Sequence, residues 1–322
     1  MQVFKGGKVS HMSKRVLPLL LLISFLFSSP LYGAQLSGHI ALSGIPRAIE
    51  LDEEGERLFL LNQSAKSLEV FDTRNLKKIK SIPLADKINP NISSRSVRYV
   101  PSLNRIYINT GTSAIAIDGS GYGELFKIKY TGKRTFFSDL SIDENELLFL
   151  DWDNYVHVFG MDGTFKKSMT VDVASSQNMV IGENIYVTAG QDGLLVMDRE
   201  TGNVNGRVNV DALSLPLAVG TKVYVAGKGR LYIIDGETFE LLKAVELNYP
   251  NYEGLGVVAH KSAGKLFVPS SEATVSVVNM SSDKVIQTLE VCHKPRGMVS
   301  DPKNKKIYVA CPESKTLSIL SY

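Results

Sequence analysis

The sequence predicts an all-β fold, a seven-bladed β-propeller. Seven short strands, each holding an aromatic residue among aliphatics, recur along the chain; the aromatics are Phe59, Tyr107, Phe149, Tyr186, Tyr224, Phe267 and Tyr308. Their spacing of 37 to 48 residues is that of a repeat carrying one four-stranded blade. Apolar and polar residues alternate in and around these runs, which is the period of strands rather than helices. Seven blades of about 41 residues each account for nearly all of the 322 residues. One domain without a linker is therefore expected.

The first 34 residues stand apart. Lys14 and Arg15 precede an apolar run from Val16 to Phe27, followed by Ser28, Ser29, Pro30 and a Gly33-Ala34 exit. That is the layout of a secretory signal peptide cleaved after Ala34, with Met12 as a possible true start. The run is shorter than the roughly 20 residues a membrane-spanning helix needs, so no stable membrane span is expected once the leader is removed. Four of the 36 basic residues (Lys5, Lys8, Lys14 and Arg15) and no acidic residue lie in the leader, which leaves 32 basic against 33 acidic residues in positions 35–322. A chain so balanced carries no field that would favour nucleic acid.

The elements follow in order. Arg57 to Leu60, Arg105 to Ile108, Leu147 to Leu150, Asn184 to Val187, Lys222 to Val225, Lys265 to Val268 and Lys306 to Val309 are the second strands of successive blades. Third strands close on an apolar-apolar-Asp signature at Val70-Phe71-Asp72, Ala116-Ile117-Asp118, Val196-Met197-Asp198 and Ile233-Ile234-Asp235. Turn formers then lead to an outer fourth strand, as in Glu200-Thr201-Gly202-Asn203. In the sixth blade Val275 to Asn279 is the third strand and Val285 to Leu289 the fourth. The seventh blade has its first strand at Pro295 to Ser300 and its third at Thr316 to Leu320, and the sequence ends at Tyr322. Its fourth strand is expected from the other end of the propeller, at His39-Ile40-Ala41-Leu42, which would close the ring and remove its free edges.

These repeats resemble the YVTN-type β-propeller repeats. Tyr186-Val187-Thr188-Ala189, Tyr224-Val225-Ala226-Gly227 and Tyr308-Val309-Ala310-Cys311 stand closest to the Tyr-Val-Thr-Asn run, and Phe59-Leu60-Leu61-Asn62 keeps its final Asn. Pro46 and Pro295 match the proline before the first strand, and Thr201-Gly202-Asn203-Val204 the turn after the third. Blade three departs, with Leu150-Asp151-Trp152 in place of the motif. The resemblance spans residues 36 to 322 and implies a secreted or cell-surface protein with a binding role more often than a catalytic one.

Counting back from the aromatics exposes a candidate site. Arg47, Arg95 and Arg296 each lie 12 residues before the aromatic of their blade, at the start of an innermost strand. They belong to blades one, two and seven, which a closed ring makes neighbours. Three guanidiniums on one sector of a channel mouth suit a carboxylate, phosphate or sulfate; pairing of each Arg within its own blade is the competing reading. The other blades offer Ser138, Gln177, Leu215 and Leu255 there, of which Gln177 is a further candidate ligand-binding residue, with Glu253 close by.

Cys292 precedes the first strand of blade seven and Cys311 ends its second, so an antiparallel hairpin brings them near the roughly 4.4–6.8 Å separation of bridged Cα atoms. A disulfide is expected in an exported chain; two buried thiols, or a metal held by Cys292, His293 and Cys311 without a fourth ligand, are the alternatives. Asp139, Asp143, Asp151 and Asp153 cluster near blade three and read as solvated turn carboxylates before a cation site. Trp152 and Tyr155 could form an aromatic contact on the upper face. Asn91-Ile92-Ser93 is a glycosylation sequon. No cofactor motif and no catalytic set is evident.

The expected function is that of an exported, periplasmic or extracellular scaffold that binds a protein partner or a small anionic ligand. A propeller hydrolase or lyase of the lactonase kind, or a cofactor-free subunit of an exported redox complex, are the alternatives.

Overall fold

The structure, a computed structural model, describes residues 33–84, 96–111, 113–129, 137–143, 145–176, 178–247 and 256–322. The expected leader up to residue 32, Arg95, Gln177, Glu253, Leu255 and the sequon at Asn91 lie outside these. Among the described residues no helix is long and apolar enough to cross a membrane.

Strand β1 (Gln35–Ala41) opens the propeller. Blade one is β2 (Pro46–Asp52), β3 (Arg57–Asn62), β4 (Ser67–Asp72) and β5 (Lys78–Pro83); blade two is β6 (Val97–Val100), β7 (Arg105–Asn109), β8 (Ser113–Asp118) and β9 (Glu124–Lys129). Blade three is β10 (Phe137–Ile142), β11 (Glu146–Asp151), β12 (Tyr155–Gly160) and β13 (Phe165–Thr170); blade four is β14 (Asn178–Ile181), β15 (Asn184–Thr188), β16 (Leu194–Asp198) and β17 (Val204–Val208). Blade five is β18 (Leu217–Val219), β19 (Lys222–Gly227), β20 (Arg230–Asp235) and β21 (Leu241–Glu246); blade six is β22 (Val258–His260), β23 (Lys265–Pro269), β24 (Thr274–Asn279) and β25 (Lys284–Glu290). Blade seven is β26 (Gly297–Asp301), β27 (Lys306–Cys311) and β28 (Thr316–Ser321), completed by β1.

All seven sheets are four-stranded and antiparallel. β1 pairs with β28 from Gln35↔Ser321 to Ala41↔Thr316, with an irregularity between Leu36 and Gly38. Each innermost strand packs against the innermost strand of both neighbours, β26 against β2 included. The ring is therefore closed by the N-terminal strand, as the sequence led us to expect.

The Asp that ends the third strand of blades one, two, four and five is a turn device. Asp198 Oδ1 accepts the backbone N–H of Thr201 at 2.7 Å, and Asp235 Oδ1 that of Thr238 at 2.8 Å. Asn279 does the same for Ser282 at 2.9 Å in blade six. A short acceptor that satisfies the turn's own N–H groups folds the chain back toward the outer strand. The Thr201 hydroxyl, then its backbone N–H, hold the Asp198 carboxyl below the ordinary carboxylate range, and the Thr238 and Glu237 N–H groups do the same for Asp235.

The cores lie between blades. Phe59, Leu61, Leu68 and Val70 of blade one meet Val97, Ile106 and Ile108 of blade two, each side chain contributing about 1.5–3 kcal/mol by leaving water. Six of the seven aromatics point toward the following blade. Phe149 is the exception: it faces blade two, stacked on Phe137 with ring centroids 4.5 Å apart, while Leu148 and Leu150 face blade four. A one-residue offset reverses the face of a strand side chain, so Leu148 holds the place that the aromatic holds elsewhere.

Candidate functional site

Every blade sends its innermost strand to the axis, and the side chains there line a cavity of about 80 Å³. Its wall holds Ala48 from β2, Asp139 from β10, Asn178 from β14 and Gly297 from β26. Those four occupy one register, paired with Leu61, Leu150, Thr188 and Ala310 of their second strands. Leu215 and Gly256, which bridge each other across blades five and six, complete the same layer. Gly297 packs closely on blade one: a Cβ there would come within 3.1 Å of Ile49 Cγ2.

Three guanidiniums belong to this wall: Arg47, Arg98 and Arg296. Arg47 and Arg296 occupy equivalent places, each following a proline at the start of its blade. Arg47 lies at a strand irregularity between Pro46 and Ala48, and its Nε donates to Gln63 Oε1 of its own blade at 2.5 Å. Arg296 donates its backbone N–H to Ala310 O at 3.0 Å. Sequence reasoning missed Arg98, which pairs with Tyr107 one register below the cavity layer and reaches up into the wall. Its signal was a charged residue inside an innermost strand where the other blades carry mostly apolar ones.

Other polar groups at this level bond within the protein. Asp139 is buried and joins three blades: its Oδ1 accepts Ser96 Oγ at 2.6 Å and Leu140 N at 2.8 Å, and its Oδ2 accepts Met179 N at 3.0 Å. Asn178 Nδ2 donates to Thr188 Oγ1 at 3.3 Å. Ser138 donates to Leu150 O at 3.1 Å rather than into the cavity. Leu215 lines the cavity, but the residue equivalent to Arg47 in blade five is Ser214, whose Oγ accepts Ala226 N at 2.8 Å.

Beneath the cavity layer lies Glu50. Its Oε2 stands 3.5 Å from Arg98 Nη1, which also donates to Val97 O at 3.0 Å. The protein crowds this carboxyl, although 24% of its side-chain surface stays exposed. Burial pushes it up to about 7, against the pull of the Arg98 charge and of the Leu51 N–H.

Cys292 and Cys311 form a disulfide with Cα atoms 5.9 Å apart. It ties the segment entering blade seven to the end of β27, and Lys294 reinforces the tie through Glu313 Oε1 at 2.9 Å. Both contacts fix the stretch that carries Arg296. His293 turns to Glu313 Oε2 at 2.5 Å. Among the described residues no group of three or more His, Cys, Asp or Glu is arranged to hold a metal.

The carboxylates near blade three disperse. Asp143 pairs with Arg199, and buried Asp151 accepts from His157 Nε2 at 2.9 Å, while His157 Nδ1 meets Ser168 Oγ at 2.7 Å. That order of groups is also found in nucleophile relays, but here it crosses β11, β12 and β13 as a clamp. A shorter version joins His39 Nδ1 to Ser318 Oγ at 2.9 Å in blade seven. Trp152, on the turn after β11, and Tyr155, the first residue of β12, are 53% and 40% exposed, and Tyr155 stacks on His157 with centroids 6.1 Å apart.

No protein-family model matches the chain, and no curated protein matches it. The molecule is a seven-bladed β-propeller whose axial cavity gathers arginines from three adjacent blades.

Proposed function

We propose that this propeller is an exported binding module that takes a small anion, a carboxylate or an inorganic oxyanion, at its axial cavity. One observation carries the reading: Arg47, Arg98 and Arg296, from three adjacent blades, line a single cavity of about 80 Å³. Among the described residues, the wall and the position just beneath it hold three cations against the carboxylates Asp139 and Glu50. A guanidinium offers paired N–H donors to an oxyanion. Apart from Asn178, the remainder of the wall, including Ile49, Leu215 and Met298, is apolar and suits an anion with a short hydrocarbon body.

Export is supported by the leader-like sequence before Gln35, by the start of β1 at Gln35, the residue after the expected cleavage point, and by the disulfide, a bond that persists in oxidising compartments. The likeness of its repeats to YVTN-type repeats agrees with an extracytoplasmic binding role. A rigid frame surrounding a few charged groups is a common way of building a recognition site.

The test is thermal unfolding of the protein at low ionic strength with sulfate, phosphate and short-chain carboxylates. A ligand of the folded state raises the midpoint by mass action. The shift is expected to vanish in Arg296→Gln and in Arg98→Gln. A shift that survives both substitutions, or no shift with any anion, overturns the reading.

A further inference from the structure

Glu50 and Arg98 hold the same register on neighbouring innermost strands, opposite Phe59 and Tyr107 respectively. Their contact at 3.5 Å places a carboxylate of the protein on the guanidinium that the proposed anion would use. Neither Arg98 Nε nor Nη2 has a protein partner among the described residues, so the pairing is partial.

Other charges on the elements around β2 are engaged elsewhere. Asp52, farther along β2, is bound to Arg57 of β3 at 2.6 Å. Asp301 of β26 accepts Tyr308 OH at 3.2 Å, and Lys306 of β27 reaches Thr73 O at 3.5 Å. On the far side of β6, Asp139 of β10 is saturated by its three donors and Arg105 of β7 donates to Met161 O at 3.2 Å. Arg47 and Arg296 stand above, in the cavity wall. Glu50 is thus the one acid on these elements whose charged partner is a cavity cation.

We propose that Glu50 is a built-in competitor for Arg98, and that an anion entering the cavity is accompanied by one proton taken from solvent onto the Glu50 carboxylate. The inference rests on the anion-binding reading above and adds its control by protons. Protonation cancels the negative charge beneath the cavity and removes the carboxylate that competes for Arg98, which keeps its bond to Val97 O. The position of Glu50 near neutrality puts the exchange in an accessible pH range.

The experiment is isothermal titration of the protein with sulfate and with propionate, both of constant charge from about pH 6 to about pH 8.5, in cationic buffers of differing ionisation enthalpy. Affinity is expected to be flat below about pH 6 and to fall about tenfold per pH unit above about pH 7.5, with uptake of about one proton per anion on that limb. Glu50→Gln is expected to bind with the affinity that the unmodified protein shows in acid, at every pH and without proton uptake. Binding at a pH-independent affinity without proton uptake overturns the coupling and leaves the anion site standing. A slope that persists in Glu50→Gln assigns the proton to another group and also overturns it. Failure of both anions to bind at any pH overturns the cavity reading itself.

Discussion

Removing the Cys292–Cys311 disulfide tests whether the seventh blade depends on a covalent tie. The two residues are separated by 19 positions. In the chain-entropy account, cross-linking a loop of that length withdraws about 11 cal/mol/K from the unfolded ensemble, or about 3 kcal/mol at 25 °C. Cys311 is fully buried and Cys292 nearly so, within a cluster that includes Phe267, Val275, Ile307 and Val309. Alanine is therefore the better replacement, since serine would bring hydroxyls into apolar surroundings. For a propeller of about 290 residues, 3 kcal/mol corresponds to a fall of about 5 °C in the unfolding midpoint. The assay is far-UV circular dichroism against temperature on the oxidised protein, on the reduced protein and on the Cys292→Ala/Cys311→Ala double variant, with alkylation to count open thiols. The reduced protein and the double variant are expected to unfold together, below the oxidised one. A reduced protein with two open thiols and an unchanged midpoint would refute the reasoning, because the loop entropy would then have no effect on stability.

Three further outcomes follow from charges inside the fold. Because burial raises Glu50 from 4.5 to about 7, its contribution is fully present below about pH 4.5 and is lost as pH rises through about 7, a change of about 3 kcal/mol. Urea midpoints across that range should show this loss in the unmodified protein relative to Glu50→Gln, and parallel pH profiles would contradict it. His260 behaves in the opposite sense: burial, helped by Lys265, holds it below its ordinary value, so its contribution is present above about pH 6.5 and lost as pH falls. His260→Phe should flatten that acid limb of the melting profile, at the cost of the hydrogen bond between His260 Nδ1 and Tyr322 OH, 2.7 Å apart. Arg57→Met strands the buried Asp52 carboxylate that Arg57 meets at 2.6 Å and should cost about 3–5 kcal/mol. In a denaturant series, adding Asp52→Leu to that variant should restore part of the loss.

The blade count, strand order and ring closure were legible because they follow from period and from the missing fourth strand of blade seven. The turn acids were legible for the same reason, since each recurs at a fixed place in its repeat. Phe149 misled because residue type was taken as the marker of position; blade three exchanges its aromatic with its neighbour, and the strand tolerates this because Phe137 and Phe159 move the aromatic packing to the other face. Counting back from the aromatic named Arg47 and Arg296, which line the cavity, and Arg95 and Gln177, which lie outside the described residues. It could not find Arg98 or Glu50. Their pairing arises between two blades 48 residues apart in sequence, and no repeat taken alone contains it. Cavity chemistry of this kind depends on how blades face one another, which a pattern within one repeat does not record.

The pairing of β1 with β28 also sets a timetable. β1, made before the other strands of the ring, finds its partner only after β28 has been made, some 280 residues later. Joining ends so far apart costs about 5 kcal/mol of chain entropy, and until it happens β28 presents an unsatisfied edge. A neighbouring copy carries the same β1 and can offer it to that edge, so crowded refolding should yield strand-exchanged dimers in which each molecule completes the other's seventh blade. Dilute refolding should favour the self-closed ring.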